Sequence, residues 1–198
     1  MHIKIARTCR GSDRFNPDDL AEVLAFIDTQ RYATRNRAMM LLTHWAGLRI
    51  GEVAALRWMD VVTHSGQIKD EIRLLSRMTK NQTARTVYVS HRLKEELKRY
   101  TQDAQCITRE YPFFASQKSP LRGFSANSLA QTFAKIYRGA GIEGASSHSG
   151  RRTFLTSLAN KGTAIHILKT LAGHQSISTT ATYLYSSPAQ LRAAVELA

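Results

Sequence analysis

Leu20, Val23, Leu24 and Ile27 mark one face of a 3.6-residue period, and this helical spacing, not the alternation of strands, organises most of the chain. The segment opens at Asn16-Pro17-Asp18-Asp19, where Asn caps, Pro suits the first turn and the two acids favour the positive helix end. A second helix is expected over 34–45, stopped by Gly47, and a third over 50–58. Alternation takes over once. Residues 71–75 are short and apolar-rich, TKNQTA is a polar turn, and RTVYVS alternates as a strand does. Further helices are expected over 91–100, 127–140, 149–160, 164–172 and 178–185. A last one restarts at Ser187-Pro188, with Leu191, Ala194, Val195 and Ala198 as one stripe. The pattern predicts a mainly α fold with one small antiparallel β-sheet.

The 198 residues are enough for one sizeable core. No apolar run reaches the roughly 18 residues that span a bilayer, and the first residues lack the apolar core of a signal peptide. Cys9 and Cys106 match no metal spacing and are too few for a disulfide scaffold. These features predict a cytoplasmic protein with reduced thiols and no membrane partner. Charge is more informative. Lys and Arg number 28 against 15 Asp and Glu, a net +13 that suggests a polyanion partner. From Gly144 onward the only carboxylate is Glu196, against Arg151, Arg152, Lys161, Lys169 and Arg192. Residues 1–14 carry a net +3 without clear periodicity and read as a basic arm.

Polar residues stand out in four segments. AGLRIGEVAALRW places Arg49 at a helix start with Glu52 one turn on; MTKNQTARTVYVS places Lys80 in the hairpin turn. SSHSGRRTF sets His148 three residues before Arg151, and LAGHQSISTTATYLY sets His174 nine residues before Tyr183. Each has an ordinary structural reading by itself. Arg49 could be a surface cation paired with Glu52, Lys80 a solvated turn residue, His148 a helix-start residue and Arg151 part of a charged face. His174 could flank a helix end, and Tyr183 and Tyr185 could be half-buried aromatics. What distinguishes them is their joint occurrence in this order at these spacings.

The set resembles the catalytic domain of the tyrosine recombinase (phage integrase) family. The resemblance is carried by GLRIGE, TKNQTAR, HSGR and LAGHQSISTTATY and covers 15–186. It departs in having Ser and Gly inside HSGR and a second Tyr after the first. Full members usually carry a separate N-terminal DNA-clamping domain, for which this length leaves no room. The chain is therefore similar to short members, such as the fimbrial-inversion recombinases, or to an isolated catalytic domain. The resemblance implies 15–186 as the catalytic domain and 187–198 as a C-terminal helical segment, either exchanged between protomers or docked on its own domain.

It also implies roles. Arg49 and Arg151 would fork onto the non-bridging phosphate oxygens and hold the extra charge of a pentavalent transition state. Glu52 would orient neighbouring groups. His174 would donate to the same oxygens, and His148 would donate or accept the Tyr proton. Lys80 would protonate the leaving 5′-oxygen. Tyr183 would attack to form a 3′-phosphotyrosine, conserving the energy of the broken strand. Arg152, Lys161 and Lys169 are candidate DNA contacts. No carboxylate cluster suggests a metal, and the cationic set supplies the charge that a metal or other cofactor would.

The expected activity is site-specific DNA recombination or integration on double-stranded DNA, by a homo-oligomer that is a tetramer on DNA and a monomer alone. Two rivals share the fold: a type IB topoisomerase-like relaxing enzyme, and a DNA-binding regulator without catalysis. The sequence leaves open the target site, the direction of reaction, accessory proteins, and whether Tyr183 acts in cis or in trans.

Overall fold

The computed structural model describes residues 7–8, 17–79, 83–104, 106, 108–117, 119–184, 191–192 and 195–196. The chain divides into two compact units, Met1–Phe154 and Leu155–Ala198. No helix among the described residues is long and apolar enough to cross a membrane.

The first unit runs through β1 (Arg7–Thr8), α1 (Pro17–Asp28), α2 (Ala33–Ala46), α3 (Ile50–Ala55) and α4 (Trp58–Val61). It continues with the β2 (Glu71–Leu74) and β3 (Arg85–Tyr88) hairpin, α5 (His91–Asp103), β4 (Ala115–Ser116), β5 (Ser119–Gly123), α6 (Ala126–Gly139) and β6 (Ile142–Glu143). α7 (Ser149–Asn160) begins in this unit and ends in the second, which also holds α8 (Ile165–Ala172) and α9 (Ile177–Ala181).

The apolar period of α1 resolves into buried Val23 and Ile27, with Leu20 and Leu24 packed partly buried against the same core. From Ala38 to Ala46 α2 is buried nearly all round. Met39, Met40, Leu41 and Leu42 are fully buried, which makes it the central helix of the unit, with α5 and α1 against it. It stops at Gly47, whose left-handed φ of 66° lets the chain turn back so that its N–H reaches the Leu42 carbonyl. α5 contributes Leu93, Leu97 and Tyr100, and α6 contributes Leu129, Phe133, Ile136 and Tyr137. The hairpin pairs Glu71 with Tyr88 and Leu74 with Arg85, so Ile72 and Leu74 face the core.

Three features differ from the sequence expectations. The helix expected over 50–58 breaks at Leu56-Arg57. Bonds from distant residues interrupt it: Phe113 N–H donates to the Leu56 carbonyl (2.8 Å) and Trp58 N–H to the Tyr111 carbonyl (3.2 Å). The β2–β3 pair is joined by two further two-stranded pairs, β4 with β5 antiparallel and β1 with β6 parallel. The helix expected over 178–185 ends at Ala181. There Tyr183 N–H donates to the Thr180 carbonyl and Leu184 N–H to Ala181, bonds that span three residues and tighten the chain into a turn. Of the expected C-terminal helix, Leu191 and Arg192 are helical and Leu191 and Val195 are exposed; 185–190, with Tyr185 and Ser187-Pro188, lies outside the described residues.

His44, on the last turn of α2, is 4% exposed, and burial lowers its imidazole to about 4. In the unfolded chain it titrates near its ordinary value of about 6.5. Between those values the unfolded state binds a proton that the folded state refuses. Stability is therefore full above about pH 6.5 and falls with pH toward about 4. Urea unfolding at pH 7 and pH 5 should differ by about 2 kcal/mol from this group alone. In His44→Asn that difference should shrink; an unchanged one would place the acid sensitivity elsewhere.

Candidate active site

Arg49 is the N-cap residue of α3, and Glu52 is the third residue of that helix. The carboxylate reaches back to the cap, as an acid at this position does. Glu52 Oε2 accepts from the Arg49 backbone N–H (2.7 Å) and Oε1 from Arg49 Nη1 (2.9 Å). Arg85 on β3 donates to the same carboxylate, Nη2 to Oε2 at 2.6 Å and Nε to Oε1 at 3.4 Å. The side chains of Glu52 and Arg85 are 1% and 6% exposed, whereas Arg49 keeps 20%. Burial alone would raise the Glu52 carboxyl. The charge and hydrogen bonds of Arg85, and then of Arg49, outweigh it and hold the group below the ordinary carboxylate value. Glu52 is thus a buried anion clamped by two cations, and Arg49 is the one that reaches toward solvent.

Sequence reading missed Arg85. Its signal lies in the strand pattern: on a strand it shares a face with Val87, which is buried, and an Arg on the inward face of a strand needs a carboxylate.

The first turn of α7 presses against the last turn of α2. A Cβ on Gly150 would collide with the Thr43 hydroxyl and the His44 ring, and one on Gly47 with the Phe154 ring. These two glycines let α7 approach closely enough for buried Arg151 to donate from Nη1 to the Gly47 carbonyl, two residues before Arg49. His148 is exposed, immediately before the first residue of α7, and its carbonyl accepts the Arg152 N–H (3.0 Å). Arg152, next along the helix, is half-buried. Gly150→Ala should cost about 1–3 kcal/mol of stability by overpacking and shift Arg151 off the Gly47 carbonyl. Thermal unfolding checks this; unchanged stability would show that α2 and α7 are not in close contact.

In the second unit, α8 ends at Gly173, again left-handed with φ 60°, and His174 follows. His174 Nδ1 lies 3.0 Å from the Oγ1 of Thr180, a fully buried residue of α9, and this contact orients the imidazole. The His174 and Tyr183 rings stack at 18°, with centroids 5.9 Å apart. Tyr183 is half-buried in the turn after α9. Lys161 is exposed and Lys169 half-buried; Lys80 and Cys9 lie outside the described residues. Among the described residues no group of three or more His, Cys, Asp or Glu is placed to hold a metal ion.

The first unit holds two arginines set by buried partners, and the second a stacked His–Tyr pair; these are residue types able to donate to a phosphate and to attack one. The description "phage integrase family" matches residues 13–190. The chain belongs to the phage integrase family. It is 29% identical to tyrosine recombinase XerA of Pyrococcus furiosus, over 83% of the chain and 54% of that protein. It is 27% identical to tyrosine recombinase XerC of Lactobacillus leichmannii, over 90% of the chain and 60% of the relative. The chain thus spans little more than half the length of these family members. The fold matches that of the Tn1549 transposon integrase, solved in complex with circular intermediate DNA, with a TM-score of 0.74 at 21% identity, over 96% of this chain and 69% of that one. The mainly helical integrase catalytic-domain architecture is therefore the fold of this chain.

Proposed function

We propose that this chain is the catalytic part of a site-specific recombinase that cuts and rejoins double-stranded DNA through a phosphotyrosine. The observation that carries the reading is the cationic lock of the first unit. Arg49 is held by Glu52, Glu52 by Arg85, and Arg151 is tied to the Gly47 carbonyl beside them. Donors fixed in this way need no reorganisation when charge develops on a phosphate.

In the reaction the Tyr183 hydroxyl oxygen bonds to phosphorus and its proton leaves to a base, a role that His148 can take. The bond to the 5′-oxygen breaks, and that oxygen takes a proton, which Lys80 supplies. Arg49, Arg151 and His174 stabilise the non-bridging oxygens. The 3′-phosphotyrosine then yields to a 5′-hydroxyl of another strand by the same steps reversed, so no external energy source is consumed. Residues 15–186 carry this chemistry, with Arg152, Lys161 and Lys169 contacting the duplex. The exposed Leu191 and Val195 support exchange of 187–198 between protomers of a tetramer on DNA.

The test uses a nicked duplex that loses its 5′-hydroxyl fragment after cleavage, incubated with the chain in EDTA. A protein–DNA adduct stable on a denaturing gel is expected. No adduct would favour a binding protein without catalysis, and an adduct formed only with added Mg²⁺ would reject the mechanism. Relaxation of supercoiled DNA lacking any preferred trapping sequence would favour the topoisomerase-like reading.

A further inference from the structure

Arg35, in the first turn of α2, is 7% exposed, and no carboxylate among the described residues pairs with it. Arg85 and Arg37 in the same unit do have carboxylate partners, Glu52 for the first and Glu96 with Asp28 for the second. Arg35 spends three of its five N–H groups on neutral acceptors. Nε and Nη2 share the Asn36 Oδ1 at 3.3 and 3.2 Å, and Nη1 donates to the Ala115 carbonyl at 3.0 Å. One N–H on each terminal nitrogen meets no acceptor among the described residues. The guanidinium also lies over aromatic rings, 4.2 Å from the centroid of Tyr32 and 5.0 Å from that of Phe124. Burial lowers its pKa, the mark of a charge removed from water.

Arg35 lines a cleft of about 630 Å³, within the range of small-molecule sites. Its walls include Tyr32, Trp58, Tyr111 and Phe113, and Arg31 stands exposed at the rim. Ser116 and Ser119 add hydroxyls. The one carboxylate in the lining, Asp103, is exposed and makes no ion pair with Arg35. A flat ring that enters the cleft can stack on these walls.

We propose that this cleft binds a small aromatic anion, with its carboxylate or phosphate on the two remaining Arg35 N–H groups and its ring against the aromatic walls. A carboxylate or phosphate matches the planar fork of a guanidinium, and either would supply the counter-charge that no described residue provides.

The experiment is calorimetric titration at fixed ionic strength with benzoate, adenosine 5′-monophosphate and inorganic phosphate, on the wild-type chain, Arg35→Met and Ala104→Trp. Ala104 lines the cleft at the end of α5, and Trp there fills it while leaving Arg35 in place. Saturable binding of benzoate or the nucleotide, weakened at least tenfold in both variants, is expected; which of the two binds tells carboxylate from phosphate. If Arg35→Met does not fold, Ala104→Trp decides alone. No saturable binding of either aromatic anion to the wild type, or binding kept by the variants, or inorganic phosphate binding as tightly as the aromatic anions, would overturn the proposal.

Discussion

Glu52→Ala is expected to lower the stability of this protein by about 3–5 kcal/mol, the usual cost of removing one partner of a buried ion pair. The carboxylate is 1% exposed and takes four hydrogen bonds, two from Arg49 and two from Arg85. Alanine leaves the buried Arg85 without the anion it grips and opens the first turn of α3, because the Arg49 backbone N–H loses its cap. Glu52→Gln, which keeps an acceptor but no charge, should fall between the two. Urea unfolding measures both. A loss below about 1 kcal/mol, the size expected of an exposed pair, would show that the cluster is a surface salt bridge.

Arg49→Ala should behave in the opposite sense. Its side chain is the more exposed of the two cations on Glu52, and Arg85 continues to neutralise the carboxylate when it is gone. Stability should therefore change little, while strand cleavage should fall by about 10²–10³, the loss typical of one transition-state donor. Single-turnover adduct formation on a nicked duplex, alongside urea unfolding, separates the two effects. Cleavage within threefold of wild type would remove Arg49 from the mechanism. Arg151→Ala should lose cleavage and also some stability, because its buried guanidinium holds the Gly47 carbonyl. Arg152, half-buried and about 100° round the helix, should matter less.

Much of the fold could be read from local pattern. The apolar period located α1, Gly47 fixed the end of α2, and the alternation of RTVYVS marked β3. The rest depends on partners far away in the chain. AALRWMD contains no Gly or Pro, so nothing local announces the break between α3 and α4; the bonds to Tyr111 and Phe113 impose it. β1 and β6 are two residues each and join parts of the chain more than 130 residues apart, too short and too distant to leave a pattern. α9 stops early where Thr179, Thr180 and Thr182 cluster. Threonines resist helix, and the Thr182 hydroxyl bonds the Thr179 carbonyl. At the candidate site the sequence order pointed to Arg49, Glu52, Arg151, His174 and Tyr183. It did not show that Glu52 serves two arginines, nor why HSGR holds a glycine, since both answers lie in packing between elements.

Covalent attachment of DNA to Tyr183 is the step on which the proposed function turns. The direct measurement is to trap the wild-type chain on a nicked duplex, digest the adduct and locate the modified peptide by mass spectrometry, with Tyr183→Phe and Tyr185→Phe in parallel. A nucleotide on Tyr183, a normal adduct from Tyr185→Phe and none from Tyr183→Phe are expected. A nucleotide on Tyr185, or an adduct that persists in Tyr183→Phe, would contradict attachment to Tyr183.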